Sequence, residues 1–390
     1  MREPALVPRL RPFTSTIFAE MTALAVKHQA VNLGQGFPDT DGPDGMLEAA
    51  KNALFGGANQ YPPGPGRPEL RAAIARHRLL RYGTEYDPDS EILVTAGATE
   101  AIAATLIALT ETGDEVIVIE PYYDSYAAAV AMAGAQRRVV GLVEAEDGRF
   151  GLDVDALCAA VTPRTRAILV NSPHNPTGTV FTRAELEAVA ALCVERDLIA
   201  ITDEVYEHLV FDDAEHIPLA TLPGMRERTV AISSAGKTFN CTGWKIGWVC
   251  STPELVAAVK AAKQFITFVS GGPLQPAVAY ALEHELAWAE GLRVSLQDKR
   301  DRLSKGLADA GFAVRRTAGT YFVCVDVRPL GFTDAADLAW ELPERVGVAA
   351  VPVKVFTDHP DEWKHLLRFA FCKRNEVIDE AITRLRELVR

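Results

Sequence analysis

Short runs typical of β-strands alternate with helical patterns between about residues 90 and 235, and this alternation restricts the fold more than any other feature. Continuous apolar runs are expected for strands that are covered on both faces. Strands separated by helices predict an α/β fold, with a mainly parallel sheet flanked by helices. The strand-type runs are residues 91–95 (EILVT), 115–119 (EVIVI), 166–170 (RAILV), 198–202 (LIAIT) and 229–233 (TVAIS).

The pattern changes after about residue 275. A long helical region, 276–311, leads into shorter strand patterns at 321–327, 346–353 and 366–372 and then into a final charged helix. This order of elements is typical of an α+β layout. Because 390 residues exceed one average domain, we predict two domains. The large domain comprises residues 46–275, and a smaller α+β domain comprises residues 1–45 and 276–390.

The charge distribution argues against several classes of partner. The formal net charge is −12, and no block of like charges concentrates it. DNA, RNA and anionic membranes bind clustered Lys and Arg side chains, so we expect neither a nucleic-acid nor a membrane partner. No stretch of eighteen consecutive apolar residues occurs, and the first eighteen residues, which contain three prolines, lack an apolar stretch of signal-peptide length. We therefore expect a soluble, cytoplasmic protein.

The cysteines and histidines do not form a recognisable metal motif. His284-Glu285 lacks the second histidine of a zinc-binding helix, so we expect no metal site. Paired disulfides are a property of short secreted chains, and we therefore expect free, mostly buried thiols. The cysteines, which are widely spaced, are Cys158, Cys193, Cys241, Cys250, Cys324 and Cys372.

Two segments that follow strands have the composition of a ligand-binding loop. In open α/β sheets, ligands bind beyond the carboxyl ends of the strands. Residues 97–99 (GAT) open a helix, where small residues let backbone N–H groups approach a phosphate. Residues 171–178 (NSPHNPTG) contain two prolines and a glycine that direct Asn175 toward one point. An ordinary strand–helix turn and a stiff loop are the alternative interpretations.

Two further segments carry ionisable side chains just after strands. Asp203 ends one strand and can pair with a protonated ring nitrogen, and Tyr206 follows three residues later. Lys237 lies among small residues after the last strand of the series, and partial burial would make its amine nucleophilic. Lys245 offers a second cation eight residues on. A helix N-cap for Asp203 and an exposed position for Lys237 are the alternative interpretations.

These segments occur in the order found in one enzyme family. The motifs NLGQGFPD, NQYPPGPG, NSPHNPTG, TDEVY, SSAGKTF and GWKIGW resemble those of fold-type I class-I/II aminotransferases, and the resemblance extends from Phe13 to about Leu388. The branch most similar to this chain contains kynurenine/glutamine transaminases, methionine aminotransferases and actinobacterial N-succinyldiaminopimelate aminotransferases. The resemblance implies the pyridoxal-phosphate-dependent transferase fold, with pyridoxal 5′-phosphate as the cofactor.

The resemblance also implies a role for each motif residue. Lys237 would bind the cofactor covalently and then act as base and acid, and Asp203 would keep the ring nitrogen protonated. Asn175 and Tyr206 would hydrogen-bond the phenolic oxygen, and Tyr123 would stack on the ring. Residues expected to hold the phosphate are Ala98 and Thr99 through their backbone, Ser234, Lys245 and, across the interface of a homodimer, Tyr61.

Substrate binding is implied for a smaller set of residues, among them Asn175. Arg368 would grip the substrate α-carboxylate, since a guanidinium group binds a carboxylate through two hydrogen bonds. From its position alone, Arg368 is a surface residue at a strand end. Gly34 and Gly36 would let the N-terminal segment close over the substrate. Phe18 stands where some relatives carry Trp, and Thr99 where some carry Tyr; both differences affect substrate choice.

The expected activity is transfer of an amino group between an L-amino acid and a 2-oxo acid, with 2-oxoglutarate/glutamate as the common pair. N-succinyl-diaminopimelate is one candidate substrate, and large neutral or aromatic amino acids (kynurenine, methionine, glutamine, phenylalanine) are the other. A cysteine-conjugate β-lyase of the same fold is an alternative enzyme. A non-catalytic cofactor-sensing domain is a third hypothesis, although such domains follow a DNA-binding domain, whereas the motifs here begin by about residue 30.

Overall fold

The computed structural model describes residues 6–14 and 16–389. The strands in this part of the chain are β1 (Val31–Asn32), β2 (Ile92–Thr95), β3 (Glu115–Glu120), β4 (Gln136–Glu144), β5 (Phe150–Leu152), β6 (Thr165–Asn171), β7 (Ile199–Asp203), β8 (Thr229–Ser234), β9 (Gly247–Cys250), β10 (Ala313–Val314), β11 (Phe322–Asp326), β12 (Val348–Ala349), β13 (Val351–Pro352) and β14 (Leu366–Ala370).

The α-helices are α1 (Ile17–Lys27), α2 (Asp44–Phe55), α3 (Pro68–Tyr82), α4 (Gly97–Leu109), α5 (Asp124–Ala133), α6 (Val154–Ala160), α7 (Arg183–Arg196), α8 (Ala235–Thr238), α9 (Pro253–Lys263), α10 (Gln275–His284), α11 (Leu286–Asp309), α12 (Ala335–Arg345), α13 (Pro360–Trp363) and α14 (Asn375–Leu385). Short 3₁₀ helices cover Pro8–Phe13, Leu219–Thr221, Thr242–Trp244, Arg328–Leu330, Val353–Phe356 and Arg386–Val389. Among the described helices, none combines the length and apolar character needed to cross a membrane.

An eight-stranded sheet has the strand order β2-β9-β8-β7-β6-β3-β4-β5. The run from β4 through β3, β6 and β7 to β8 is parallel. Strand β9 is antiparallel to both β8 and β2, and β5 is antiparallel to β4. The predicted α/β fold with a mainly parallel sheet is confirmed, and each of the five predicted strands is present.

Alternate residues of β3 pack on opposite faces of this sheet. Val116 and Val118 lie in one apolar cluster with residues of α4 and α5, whereas Ile117 and Ile119 lie in another with residues of α7. Successive side chains of a strand point to opposite faces, so a continuous apolar run requires a cover on both sides. Helices on both faces provide this cover. Because β6, β7 and β8 are parallel neighbours, their carboxyl ends lie together at one edge of the sheet.

A four-stranded sheet with the order β10-β11-β14-β13 is formed by the later part of the chain, and its paired strands are antiparallel. The helical region expected at 276–311 consists of two helices, α10 and α11, because the chain leaves helical geometry at Glu285. Strand β1 pairs with β12, which joins the N-terminal segment to the second half of the chain. The division at residues 45/46 and 275/276 stays a prediction; Ala277 in α10 packs in one cluster with Met46 and Trp248.

Candidate active site

A cavity of about 320 Å³ lies beyond the carboxyl ends of β6, β7 and β8, next to the first turn of α4. This is the position at which open α/β sheets bind ligands. It gathers side chains from segments that are far apart in sequence. The predicted site residues that line it are Phe18, Gly36, Ala98, Thr99, Tyr123, Asn175, Asp203, Tyr206, Ser234, Lys237, Lys245 and Arg368.

Lys237 lies in α8, the short helix that directly follows β8. Burial lowers the pKa of Lys237 to about 8, while nearby Cys372 and Asp203 act in the opposite direction. Its Nζ donates to the hydroxyl oxygen of Tyr321 at 2.8 Å. A lysine with this pKa is partly neutral near pH 8, so its amine is available as a nucleophile or base.

Asp203 is the last residue of β7 and is 4% exposed. The hydroxyl of Tyr126 donates to its Oδ2 at 2.6 Å, and the Val205 N–H donates to its Oδ1 at 3.2 Å. Burial raises the pKa of Asp203, and the hydrogen bond from Tyr126 acts in the opposite direction. A buried carboxyl group in a ligand cavity is stabilised as the anion by a cationic partner, which makes Asp203 a site for a protonated nitrogen.

Asn171, at the end of β6, links the loop that carries Asn175 to β7. Its Nδ2 donates to the backbone oxygen of Asp203 at 2.9 Å, and its Oδ1 accepts the Asn175 N–H at 2.8 Å. Both the nitrogen and the oxygen of the Asn171 amide are therefore hydrogen-bonded. The two hydrogen bonds connect the loop that carries Asn175 to the end of β7. In the same loop, Pro173 and Pro176 follow cis peptide bonds.

Arg368 lies in the middle of β14 and is 1% exposed, so the surface position expected from sequence alone is wrong. Its Nη1 donates to Asn175 Oδ1 at 2.9 Å and its Nη2 to the Gly34 oxygen at 3.0 Å, but its Nε has no partner among the described residues. Burial lowers the pKa of Arg368. A buried guanidinium group with an unused donor is a site for a carboxylate.

Three phenylalanine rings surround the Arg368 guanidinium group. Its central carbon lies 5.4 Å from the ring centroid of Phe18, 4.0 Å from that of Phe322 and 5.0 Å from that of Phe356. Aromatic faces attract a cation and exclude water from it. The walls on this side of the cavity are therefore apolar, while the charge at their centre is positive.

The first turn of α4 and Lys245 form a second site for an anion. Gly97 has a φ of +76°, and a Cβ at this position would lie 3.1 Å from Lys245 Nζ. A Cβ on Gly247 would lie 2.6 Å from the Gly97 carbonyl carbon, so the two segments touch only because both residues are glycine. A helix N-terminus with a lysine beside it is a phosphate-binding arrangement, and Ala98, Thr99 and Ser234 line it.

Two tyrosines border the remaining sides of the cavity. Tyr206 is 3% exposed, burial raises its pKa, and its ring meets that of Tyr321 edge-on at 5.2 Å. Tyr123 directly precedes α5, and its hydroxyl lies against Thr99. Both phenols are therefore neutral hydrogen-bond donors at physiological pH.

Several cavity residues were missed from the sequence, and two predicted residues, Gly34 and Tyr61, do not line the cavity. Tyr126 and Asn171 had a detectable signal, since one lies a helical turn after Tyr123 and the other is the last residue of a predicted strand. Tyr321 had none. Tyr61 is 81% exposed and does not line the cavity of its own chain. The further cavity residues without a prediction include Gln35, Phe37, Ile102, Thr242, Ile246 and Phe322.

A lysine with a lowered pKa, a buried carboxyl group and two groups of side chains suited to anions thus lie around one cavity, an arrangement typical of an enzyme active site. The chain belongs to the aminotransferase class I and II family, whose pattern matches residues 28–385, and it is an aminotransferase. The solved structure of N-succinyldiaminopimelate aminotransferase from Mycobacterium tuberculosis is similar, with a TM-score of 0.97 and 59% identity over 98% of this chain and 100% of that one.

Two curated relatives are similar over nearly their whole length. A methionine aminotransferase from Escherichia coli K12 is 39% identical over 100% of both chains. Human kynurenine–oxoglutarate transaminase 1 is 35% identical over 95% of both chains. The family and the transferase fold expected from the motifs are therefore confirmed.

Proposed function

We propose that the protein is a pyridoxal-phosphate-dependent aminotransferase that moves an amino group between an L-amino acid and a 2-oxo acid. The observation that carries the proposal is the convergence of Lys237, Asp203 and Arg368 on one cavity. The three side chains suit an aldehyde, a ring nitrogen and a carboxylate, respectively. Family membership supports the same activity.

The residues present fit this cofactor. The buried carboxyl of Asp203, whose hydrogen bonds come from the neutral donors Tyr126 and Val205, suits the protonated ring nitrogen. Lys245 with the start of α4 suits the phosphate. Because Asn175 Oδ1 is occupied by Arg368, the amide Nδ2 of Asn175 can donate to the phenolic oxygen, together with the Tyr206 hydroxyl. When bound, pyridoxal phosphate supplies an aldehyde carbon for an amine and a ring that takes up electrons from the substrate Cα.

Side chains of the cavity bind the substrate carboxylate, accept a proton and exclude water. Arg368 binds the substrate α-carboxylate and thereby fixes the direction of the Cα–H bond. The Nζ of Lys237 takes up the proton from the substrate Cα, a task that suits a group with a pKa of about 8. The rings of Phe18 and Phe322 keep water away from the Arg368 guanidinium group.

We propose N-succinyl-diaminopimelate as the amino donor and 2-oxoglutarate as the acceptor. The 59% identity to a protein named for the first compound supports this choice. The second candidate is a large neutral or aromatic amino acid such as methionine, kynurenine, glutamine or phenylalanine. It is favoured by the apolar lining of the cavity, in which Phe18, Phe37 and Ile102 take part.

Visible absorption of the protein loaded with pyridoxal phosphate tests both parts. Single amino acids are added without any oxo acid, and bleaching of the band of the lysine-bound cofactor identifies the substrate that donates its amino group. Lys237→Ala should bind the cofactor only noncovalently and lose this conversion. Wild-type turnover by Lys237→Ala contradicts the proposal. An aminotransferase releases at most one equivalent of keto product per site without an oxo acid, so release of many equivalents identifies a β-lyase.

We further propose that two copies of the chain form a homodimer in which Tyr61 reaches the phosphate site of the partner. Tyr61 stacks edge-on against Phe268, with centroids 5.4 Å apart, and Phe265 nearby in sequence is 86% exposed. Exposed aromatic groups of this kind are typical of an interface. Mixing Lys237→Ala chains with Tyr61→Ala chains tests the arrangement, because one site of each mixed dimer then contains both native residues. Absence of any regained activity contradicts a shared site.

A further inference from the structure

Tyr321 lies between Lys237 and the segment of residues 33–38, which follows β1 and is called the N-terminal loop below. Tyr321 is 1% exposed. Its hydroxyl oxygen accepts a hydrogen bond from Lys237 Nζ at 2.8 Å, and the same hydroxyl donates to the Gly36 oxygen at 2.5 Å. One phenol therefore connects the reactive amine to the backbone of the loop.

The direction of these hydrogen bonds follows from the groups involved. A backbone carbonyl only accepts, so the Gly36 oxygen takes the single hydrogen that the Tyr321 hydroxyl carries. Toward Lys237 the Tyr321 oxygen is consequently an acceptor. Lys237 donates one N–H, and the lone pair of its neutral amine stays directed away from Tyr321 and available for reaction.

The N-terminal loop is held against the cavity by several separate contacts. Arg368 donates to the Gly34 oxygen at 3.0 Å, and Lys373 Nζ donates to the Phe37 oxygen at 2.7 Å. Gly36 lies so close to Phe322 that a Cβ would be 2.4 Å from the ring. Without the Gly36 oxygen, the Tyr321 hydrogen would be free for another acceptor, and the Lys237 amine lies 2.8 Å from the hydroxyl oxygen.

We propose that Tyr321 is a positioning residue that makes the Lys237 lone pair available only while the N-terminal loop covers the cavity. The inference rests on the function proposed above, because it concerns the amine that reacts with the cofactor aldehyde. With the loop in place, the lone pair of the Lys237 amine is free to react with the cofactor aldehyde. With the loop displaced, the Tyr321 hydroxyl donates its hydrogen to that lone pair. The titratable groups around Lys237 are Asp203, Tyr206, Lys245, Tyr321, Arg368 and Cys372.

Uptake of pyridoxal phosphate by cofactor-free protein tests the inference through Tyr321→Phe. The rate is followed from pH 6.5 to 9.5 by absorption, and the bond to Lys237 is trapped with borohydride and located by mass spectrometry. Because the Tyr321 oxygen stabilises the charged ammonium form, its removal should lower the inflection of the pH profile below about 8. Uptake well below that pH should become roughly 10-fold faster, because more of the amine is neutral once one hydrogen bond to its ammonium form is lost. A profile that coincides with that of the wild type overturns the inference.

Lys373→Met tests the coupling to the loop without changing a residue of the cavity lining. It removes the hydrogen bond to the Phe37 oxygen and should slow uptake roughly 5-fold in the wild-type background, the order expected when one hydrogen bond to the loop is lost. In the Tyr321→Phe background it should have almost no effect, since no hydroxyl is left to engage the amine. Equal slowing in both backgrounds overturns the inference. Lys51→Met, which changes an exposed residue of α2, is the control.

The same experiment separates the two proposals. Trapping of the cofactor at a residue other than Lys237 contradicts the proposed function and the role of Tyr321 together. Trapping at Lys237 with an unchanged pH profile in Tyr321→Phe overturns the role of Tyr321 alone. Because Tyr321→Phe keeps the ring and its packing against Tyr206, a purely structural role would leave the inflection where it is.

Discussion

Arg368 Nη1 donates to Asn175 Oδ1 at 2.9 Å, so the side chain suited to the substrate carboxylate also orients the amide suited to the cofactor. With its oxygen engaged, the Asn175 amide presents its Nδ2 hydrogens to the cavity. Arg368 reaches this position from β14, and Asn175 from the loop after β6. This hydrogen bond thus joins a side chain of the four-stranded sheet to a loop of the eight-stranded sheet, and it connects the proposed substrate and cofactor sites.

Arg368→Ala should weaken binding of both the amino acid and the oxo acid by about 2 to 5 kcal/mol, the cost of removing one partner of a buried charge pair. Arg368→Lys should fall between Ala and wild type, since an ammonium group cannot bind two carboxylate oxygens in parallel. Steady-state kinetics with both substrates measures the effect as a rise in KM. Unchanged KM values contradict the role.

Arg368→Met provides a control for folding. A buried cation without an acidic partner destabilises a protein, so its replacement by an apolar side chain of similar length should not lower the thermal midpoint. The variant should remain folded and fail to bind the carboxylate. A large drop in the midpoint would instead assign Arg368 a mainly structural role.

Tyr126→Phe should raise the Kd for pyridoxal phosphate, most clearly at low pH. Tyr126 donates to Asp203 Oδ2 at 2.6 Å and opposes the rise in the pKa of Asp203 that burial causes. Without this hydrogen bond the carboxyl is protonated at a higher pH and pairs less well with a protonated ring nitrogen. Equilibrium dialysis between pH 6 and 9 measures the Kd.

Asp203→Asn is the reference variant for that experiment. It removes the charge at every pH, so transamination should fall by roughly 100-fold or more, as for loss of a preorganised electrostatic group. Its cofactor affinity should show little of the pH dependence seen in Tyr126→Phe. An identical pH dependence in both variants would mean that Asp203 is not the titrating group.

Arg78→Met should lower the free energy of unfolding by about 3 to 5 kcal/mol, because it leaves two buried carboxylates without their cation. Arg78 is 1% exposed, and its Nη1 lies 2.9 Å from Glu204 Oε2 and 3.2 Å from Glu207 Oε2. Denaturant or thermal unfolding measures the change. Arg302→Met is the matched control, since it breaks an exposed pair with Asp379 and should cost less than about 1 kcal/mol.

His77 should make the protein less stable as the pH falls from 6.5 toward 4. Burial lowers the pKa of His77 to about 4 from its ordinary value of 6.5, and its Nε2 faces that of His208 at 3.0 Å. The unfolded chain therefore binds a proton that the folded chain does not, and up to about 3 kcal/mol is lost across this range. Unfolding of His77→Gln at several pH values should give a flatter profile than wild type. Parallel profiles contradict the assignment.

The sequence by itself determined the main sheet and the local position of its chemistry. Residues 116–119 (VIVI) and 167–170 (AILV) are apolar without interruption, as expected for a strand that is covered on both faces. Lys237 follows β8 and Asp203 ends β7, and because these strands are parallel neighbours, the proximity of the two residues follows from local pattern and sheet geometry. The aminotransferase motifs rest on the same short, contiguous segments.

Only the tertiary structure decided which distant residues complete the site. Arg368 lies in the second sheet, and its burial depends on the pairing of β14 with β11 and β13, which no local pattern specifies. The insertion of β9 between β8 and β2 and the contact of Tyr321 with Lys237 likewise depend on strand pairing and packing between remote segments. Local patterns encode the elements of this protein, because periodicity and burial act within a few residues. The hydrogen bonds of its site join residues that lie up to about 330 positions apart in the chain, and only folding brings these partners together.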